Sequence, residues 1–228
     1  MTSPVPPLLA AACVTVLIGA LIPGSSRAAE PSANAQKVSK SGISYLSDDQ
    51  VGPPDLVSAI KSRRAGGKLL NLDRILLHSP NFAKGWNGMV GAIRNQLSLP
   101  GKLRELAIMQ IGVLNKAEYE WAQHEGEFLK AGGTREQLNA LRHGAAAGAS
   151  DPKLFDDAER MTLQLTREMT QKIEVSPATM KQARSLLPDA QVVELIGTIS
   201  GYNMVSRFAV ATGLDIEEAA PTEVGARK

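Results

Sequence analysis

The sequence has a single cysteine, Cys13, and it lies inside an apolar segment near the N-terminus. If that segment is removed, the remaining chain contains no thiol. Disulfide bonds, catalysis by a thiolate, and cysteine-ligated metal or iron–sulfur sites are then excluded together. Any chemistry of the mature chain must therefore come from other side chains.

The chain also has no large excess of positive or negative charge. From Glu30 onward the chain carries 24 basic and 23 acidic residues, which gives no reason to expect nucleic acid or acidic lipid as a partner. The densest basic patch, residues 61–68, contains Gly66 and Gly67 and is expected to be a solvated loop. A metal site is not expected, because Glu120 and His124 have ligand spacing but no second spaced pair accompanies them.

The first 29 residues contain no acid and one base, Arg27. Residues 8–22 form an apolar run of the length of a signal-peptide core, which is short for a membrane span. Small residues follow the run, and Ser26-Arg27-Ala28 provides a cleavage site, so we expect export to the periplasm or medium and no membrane contact after cleavage. The segment before the run lacks Lys and Arg, and an uncleaved membrane anchor remains the alternative.

The rest of the chain is long enough for one domain with a sizeable core. No alternating strand pattern of useful length occurs, so we expect an all-α fold of about seven or eight helices. Residues 30–42 are expected to be a flexible leader, 43–216 the single helical domain, and 217–228 a mobile tail.

Capping residues predict several helix boundaries. Thr134 and Gln137 fit a capping box. Asp151 and Ser176 each precede a proline that can occupy the first helical position. A long helix is expected after Leu187-Pro188-Asp189, with Gly213 at its end.

The best candidate for chemistry lies between residues 104 and 124. Residues 106–114 are almost all apolar, which indicates a helix buried on most sides. Glu105 begins this helix and needs a polar partner or solvent, because carboxylates are rarely buried alone. On the next helix, Glu120 and His124 are one turn apart and share a face. The alternative for His124 is a structural role, bonded to Glu120.

These residues also resemble a known family. Arg-Glu-Leu-Ala at 104–107, Glu-Tyr-Glu-Trp-Ala-Gln-His at 118–124 and Gly-Gly-Thr at 132–134 are similar to the carboxymuconolactone decarboxylase family, which includes the AhpD-like (alkyl hydroperoxidase D-like) proteins. The resemblance is strongest over about residues 103–143. It implies a compact all-helical domain that assembles into a homo-oligomer.

The peroxidase branch of this family has a glutamate, a Cys-x-x-Cys pair beginning twelve residues later, and a histidine four residues after the second cysteine. Counted from Glu105, the histidine falls on His124, but the cysteine positions hold Ala117 and Glu120. The acid–base residues are therefore kept, and the redox pair is absent.

The resemblance implies a cofactor-free enzyme of the decarboxylase branch that acts on a small carboxylated acid of the lactone or enone type, and the N-terminal segment predicts that this enzyme is exported. His124 would donate a proton, held and tuned by Glu120 and Glu105. Three further side chains are candidates for substrate binding: Trp121, Tyr119 and Arg207. Two alternatives remain, namely a non-enzymatic oligomeric binding protein on the same fold and a peroxidase-like member that works without the cysteine pair.

Overall fold

The structure is a computed structural model that describes residues 36–143 and 151–217. These residues form nine α-helices and one short 3₁₀ turn, with no β-sheet among them. The helices are α1 Pro54–Arg63, α2 Asn71–Leu76, α3 Pro80–Asn95, α4 Gly101–Leu114, α5 Glu118–Lys130, α6 Arg135–His143, α7 Asp157–Gln171, α8 Pro177–Leu186 and α9 Asp189–Thr212. The predicted all-α fold is confirmed.

Helix α4 lies at the centre of the fold and packs against α5, α6, α7 and α9. Its apolar residues are divided between two hydrophobic clusters. Ile108 and Ile111 belong to one cluster, while Leu106 and Met109 belong to the other. A helix with partners on most sides needs apolar residues all round, which explains the run that the sequence shows at 106–114.

A tight turn sends α5 back along α4. Lys116 adopts a left-handed conformation with φ of 54°, and the amide of Ala117 donates to the carbonyl of Gly112. Farther from the turn, His124 of α5 lies beside Glu105 of α4. The reversal therefore places a residue near the start of α4 next to a residue in the second half of α5.

Helices α3 and α9 approach each other closely at Gly201. A Cβ atom added at Gly201 would lie 2.7 Å from Cδ1 of Ile93, a distance at which something must shift. The absence of a side chain at Gly201 therefore leaves room for the end of the Ile93 side chain. The next residues along the two helices, Arg94 and Tyr202, both enter the site described below.

Several capping predictions are confirmed and one is wrong. Thr134 and Gln137 exchange side-chain bonds with each other's amides, and Ser176 accepts from the amide of Thr179. Asp151 does not begin a helix, because its carbonyl closes a turn. Helix α7 begins at Asp157 instead, since Asp156 and Glu159 form a reciprocal capping box there.

The two ends of the described chain meet at the end of α9. Gly213 terminates this helix in the left-handed conformation, as predicted. The amide of Lys40 donates to the carbonyl of Gly213, and the Ser41 hydroxyl donates to the carbonyl of Thr212. Residues 40 and 41 of the predicted leader are thus bonded to the helical domain.

The predicted signal peptide, residues 1–29, and residues 218–228 of the predicted tail lie outside the described residues. Within the described part, none of the helices combines the length and the apolar character that crossing a membrane requires.

Candidate active site

His124 and Glu105 form a buried hydrogen-bonded pair between α5 and α4. Nδ1 of His124 lies 2.7 Å from Oε2 of Glu105, and the two residues are only 2% and 1% exposed. The second oxygen of Glu105 accepts a bond of 3.1 Å from Nε of Arg104. The polar partners that the sequence predicted for Glu105 are therefore His124 and Arg104.

The surroundings of Glu105 favour its charged form. Burial raises the pKa of this carboxyl, but the hydrogen bond and charge of His124, together with Arg104, outweigh burial and lower the pKa overall. An ionised carboxylate can only accept hydrogen bonds, so Nδ1 of His124 carries the shared proton. Nε2, on the opposite edge of the ring, is left for other partners.

Glu120 lies on that opposite edge, and its pKa is shifted in the opposite direction to that of Glu105. Its Oε2 is 3.8 Å from Nε2 of His124, and the residue is 4% exposed. Burial raises the pKa of Glu120 and outweighs the opposing charges of His124, Arg94 and Arg64. Two carboxyl groups with opposite pKa shifts on either side of an imidazole are an arrangement suited to acid–base chemistry.

A small cavity adjoins this group. His124 and Glu120 line it together with Tyr119, Trp86, Tyr202 and Arg94, whereas Glu105 is not part of the lining. Its volume is about 20 Å³, which is room for about one water molecule. Because Nδ1 is bound to Glu105, it is the Nε2 edge of His124 that faces the cavity.

Two arginines bring positive charge to the cavity wall. Arg64 is paired with Asp73 through two bonds of 2.9 and 2.5 Å, and its side chain is only 9% exposed. The expectation of a solvated loop is therefore wrong for Arg64, because Asp73 holds its guanidinium inside. Arg94 makes no hydrogen bond or ion pair with any residue that the structure describes. Of the two arginines in the described lining, Arg94 is therefore the one without a hydrogen-bonded partner.

Tyr202 contributes a buried hydroxyl. Its ring meets the His124 ring edge-on, with centroids 5.1 Å apart and planes at 90°. The hydroxyl is buried and has no hydrogen-bond partner among the described residues. Burial raises the pKa of Tyr202, so the hydroxyl stays protonated and is a potential donor.

Of the three predicted substrate-binding residues, only Tyr119 lines the cavity. Trp121 packs in the second hydrophobic cluster with the guanidinium of Arg142 above its ring, 4.4 Å from the centroid. Arg207 is exposed and bonds to Asn203. Tyr202 lines the cavity but was not among the predicted site residues. The sequence signal for it was the polar and aromatic group Gly-Tyr-Asn at 201–203, inside α9.

Glu217 joins two parts of the cavity wall. One of its oxygens accepts from the hydroxyl of Tyr119 at 2.7 Å and from the amide of Asn71 at 2.8 Å. The other accepts from Nε2 of Gln123 at 2.5 Å. Tyr119 and Gln123 both line the cavity, so the segment after α9 holds this side of the wall in place. The predicted tail thus begins with a bonded residue.

The charged side chains near the cavity do not form a metal-binding arrangement. Across residues 36–143 and 151–217, no group of three or more His, Asp or Glu residues is placed to hold a metal ion.

Known proteins resemble this chain in sequence over one segment and in fold over most of it. Residues 80–161 match the model of the carboxymuconolactone decarboxylase family. None of the functionally curated proteins matches the chain. The debrominase Bmp8 shares the fold with a TM-score of 0.63 at 15% identity, over 75% of this chain and 90% of that one.

Two further solved structures have the same fold. An uncharacterized peroxidase-related protein from Silicibacter sp. TM1040 has a TM-score of 0.55 at 18% identity, over 64% of this chain and 75% of its own. A protein of unknown function from Agrobacterium tumefaciens, described as an AhpD antioxidant defence protein, has a TM-score of 0.56 at 17% identity, over 62% and 94%. Such identities establish a shared fold only. The predicted resemblance to the carboxymuconolactone decarboxylase family is nevertheless confirmed, because residues 80–161, which hold Glu105, Glu120 and His124, match the model of that family.

Proposed function

We propose that this protein is a cofactor-independent enzyme of the carboxy-lyase type that protonates a small carboxylated substrate, with His124 as the proton donor. The observation that carries the proposal is the buried bond between His124 and Glu105 beside a cavity. That bond fixes the ring and its protonated nitrogen, and it leaves Nε2 facing the space where a substrate would react.

The reaction breaks the bond between a carboxylate and its neighbouring carbon. Carbon dioxide leaves, and the electron pair moves into a conjugated carbonyl, which becomes an enolate. As the donor, His124 carries protons on both ring nitrogens, and transfer of the Nε2 proton to carbon yields the decarboxylated product, so one proton is consumed for each carbon dioxide released. Glu120, whose pKa is raised by burial, lies 3.8 Å from Nε2 and is the group assigned to restore this proton.

We assign Arg94 to bind a substrate group that stays negatively charged or becomes so during the reaction, and not the carboxylate that leaves. A cation beside the departing carboxylate would slow the reaction, because it would stabilise the charged ground state more than the transition state that leads to neutral carbon dioxide. A second carboxylate or the carbonyl oxygen of the electron sink does not have this drawback. Arg94 suits such a group because its guanidinium has no partner among the described residues.

The test is release of carbon dioxide from a panel of small unsaturated lactone acids and enone acids. Reaction in D₂O, followed by NMR, shows whether solvent deuterium reaches the carbon that lost the carboxylate. His124→Ala should lower the rate by about 10²–10⁴-fold. His143→Ala is the control, because His143 is exposed at the end of α6. Full turnover by a folded His124→Ala variant would exclude the proposed role.

The alternative on the same fold is a non-enzymatic binding protein. A cavity of about 20 Å³ accepts a lactone acid only if the wall opens, and this holds for binding as well as for turnover. Saturable binding of such acids without carbon dioxide release or deuterium incorporation would select this candidate. No observation on the described residues favours a peroxidase that works without cysteine.

Export and self-association are further parts of the proposal. Export rests on the apolar run at 8–22 and the predicted cleavage site Ser26-Arg27-Ala28. Self-association is supported by exposed apolar side chains on α3 and α9, among them Phe82 and Val193. The intact mass of protein from the native host tests cleavage near Ala29, and a full-length cytoplasmic product contradicts export. Light scattering tests assembly, and a monomer at micromolar concentration contradicts it.

A further inference from the structure

The hydroxyl of Tyr202 takes no part in the hydrogen bonds of the described residues. Tyr202 is 2% exposed, and its hydroxyl oxygen has neither solvent contact nor a partner within the described residues. Buried tyrosine hydroxyls normally find a partner, because an unmade bond in the interior is costly. A phenylalanine would fill the same space without this cost. The hydroxyl therefore needs an explanation outside the stability of the fold.

Its position supplies one. Tyr202 lines the same cavity as His124, Glu120 and Arg94, and its ring lies edge-on to the imidazole at 5.1 Å. Burial raises the pKa of Tyr202, and Arg94 is the largest of the charges that act against this rise. The charge of Arg94 therefore acts on the Tyr202 hydroxyl, and Tyr202 lies beside His124, the proposed proton donor.

The backbone is arranged to bring these two groups together. Gly201 leaves room on α9 for Cδ1 of Ile93 on α3, which would lie 2.7 Å from a Cβ atom added at Gly201. Tyr202 and Arg94 directly follow the two residues of this contact. The contact between α3 and α9 therefore brings Tyr202 and Arg94 into the lining of one cavity.

We propose that Tyr202 is a second catalytic residue, whose hydroxyl donates a hydrogen bond, alongside Arg94, to the substrate oxygen that becomes negatively charged. The inference rests on the proposed decarboxylation and names its substrate class more closely. The carbon that loses the carboxylate must be conjugated to a carbonyl, as in an unsaturated lactone or an enone, so that the electron pair reaches an oxygen within range of both groups.

Tyr202 keeps its proton throughout. When the carbon–carbon bond breaks, the electron pair moves to the carbonyl oxygen, and the hydroxyl bond to that oxygen strengthens. The proton that finally reaches carbon comes from His124, and the electron pair returns from oxygen to form the new carbon–hydrogen bond. Tyr202 and Arg94 end the cycle unchanged.

The experiment compares Tyr202→Phe with Tyr45→Phe. Tyr45 is also buried, but its hydroxyl bonds to Asp215 away from the cavity. The probe is tetronate, a small lactone that is already an enolate anion at neutral pH. Calorimetric titration measures its affinity, and thermal unfolding measures the stability of each variant.

Tyr202→Phe should bind tetronate about 10- to 100-fold more weakly than the wild type, and its melting temperature should be equal or higher, because an unpartnered hydroxyl is removed. Tyr45→Phe should keep the affinity and melt at a lower temperature. With a turned-over substrate, Tyr202→Phe should lower kcat more than it changes KM, since the bond strengthens as charge develops.

Unchanged tetronate affinity in Tyr202→Phe overturns the inference, as does a loss of stability like that of Tyr45→Phe. Absence of saturable tetronate binding to the wild type overturns it too. Failure of the proposed function has a different signature. His124→Ala would then keep full turnover, or no acid would release carbon dioxide, while the tetronate comparison would still support Tyr202 as an oxyanion donor.

Discussion

Nδ1 of His124 and Oε2 of Glu105 are 2.7 Å apart, and their bond connects α5 to α4 in the interior of the protein. Removing one member of a buried pair leaves the other without its partner, and such changes often cost about 3–5 kcal/mol. The pair thus contributes to folding as well as to the proposed chemistry. Every substitution here needs a stability measurement beside the kinetic one.

Glu105→Gln should destabilise the protein at neutral pH by about 1–3 kcal/mol, because it replaces a charged hydrogen bond with a neutral one. The folded-state pKa of Glu105 is lowered. Its contribution is therefore present above the unfolded pKa, about 4.3, and is lost as the pH falls through the folded value. Urea unfolding at neutral and acidic pH measures both. A difference between variant and wild type that persists unchanged in strong acid would contradict this assignment.

Glu120→Gln should have the opposite pH dependence. The folded-state pKa of Glu120 is raised by burial, so its contribution is present below the unfolded pKa and is lost as the pH rises through the folded value. Glutamine keeps the shape without the buried charge. The variant should match the wild type in acid and exceed its stability as the pH rises. A less stable variant at neutral pH would show that Glu120 is ionised and paired.

Glu120→Gln should also alter the pH dependence of turnover. The variant cannot restore the proton on Nε2 of His124, from which the Glu120 carboxyl lies 3.8 Å away. The expected result is a smaller loss of rate than in His124→Ala, with a shifted pH–rate profile. An identical profile in variant and wild type would remove Glu120 from the mechanism.

Glu217→Ala should expose His124 to reagents. Glu217 accepts bonds from Tyr119 and Gln123 in the cavity wall, so its loss should let the wall open more often. Modification by diethyl pyrocarbonate, read by peptide mass, should become faster at His124 and stay the same at the exposed His78. Glu194→Ala is the matched control, since Glu194 accepts bonds from Ser98 and Leu99 instead. Equal rates at His124 in all three proteins would show that Glu217 does not limit access.

Gly201→Ala should destabilise the protein by about 1–3 kcal/mol through overpacking, because its Cβ would lie 2.7 Å from Cδ1 of Ile93. Shortening the neighbour in Gly201→Ala/Ile93→Val should restore part of this loss. Gly197→Ala on the same helix is the control, since nothing lies within 4 Å of its added Cβ. That change should stabilise α9 by about 0.5–1 kcal/mol. Equal effects at Gly201 and Gly197 would contradict the close crossing.

Helix positions were predictable where the signal is local. Capping residues and Gly213 marked boundaries that the structure confirms, and the apolar run at 106–114 indicated the buried α4. The start of α7 was wrong because two aspartates compete within six residues of sequence. Asp156 has Glu159 three residues later and can form a reciprocal capping box, whereas Asp151 lacks this partner.

The site was predictable only in part, because its contacts cross between helices. One-turn spacing favoured Glu120 as the partner of His124, but the packing of α4 on α5 brings Glu105 to Nδ1. Arg94 stands near a helix end, where arginines are usually solvated. Its position beside Tyr202 depends on the crossing of α3 and α9, which no local pattern encodes.

Because Trp86 lines the cavity, its intrinsic fluorescence can report on what occupies the cavity. Trp86 lines the cavity and touches Phe208, with ring centroids 5.1 Å apart, whereas the second tryptophan, Trp121, lies outside the lining beneath Arg142. In a Trp121→Phe variant, all indole fluorescence would come from the cavity wall. A molecule entering beside His124 would then change the emission, so libraries of unlabelled acids can be screened for occupancy before any turnover assay exists.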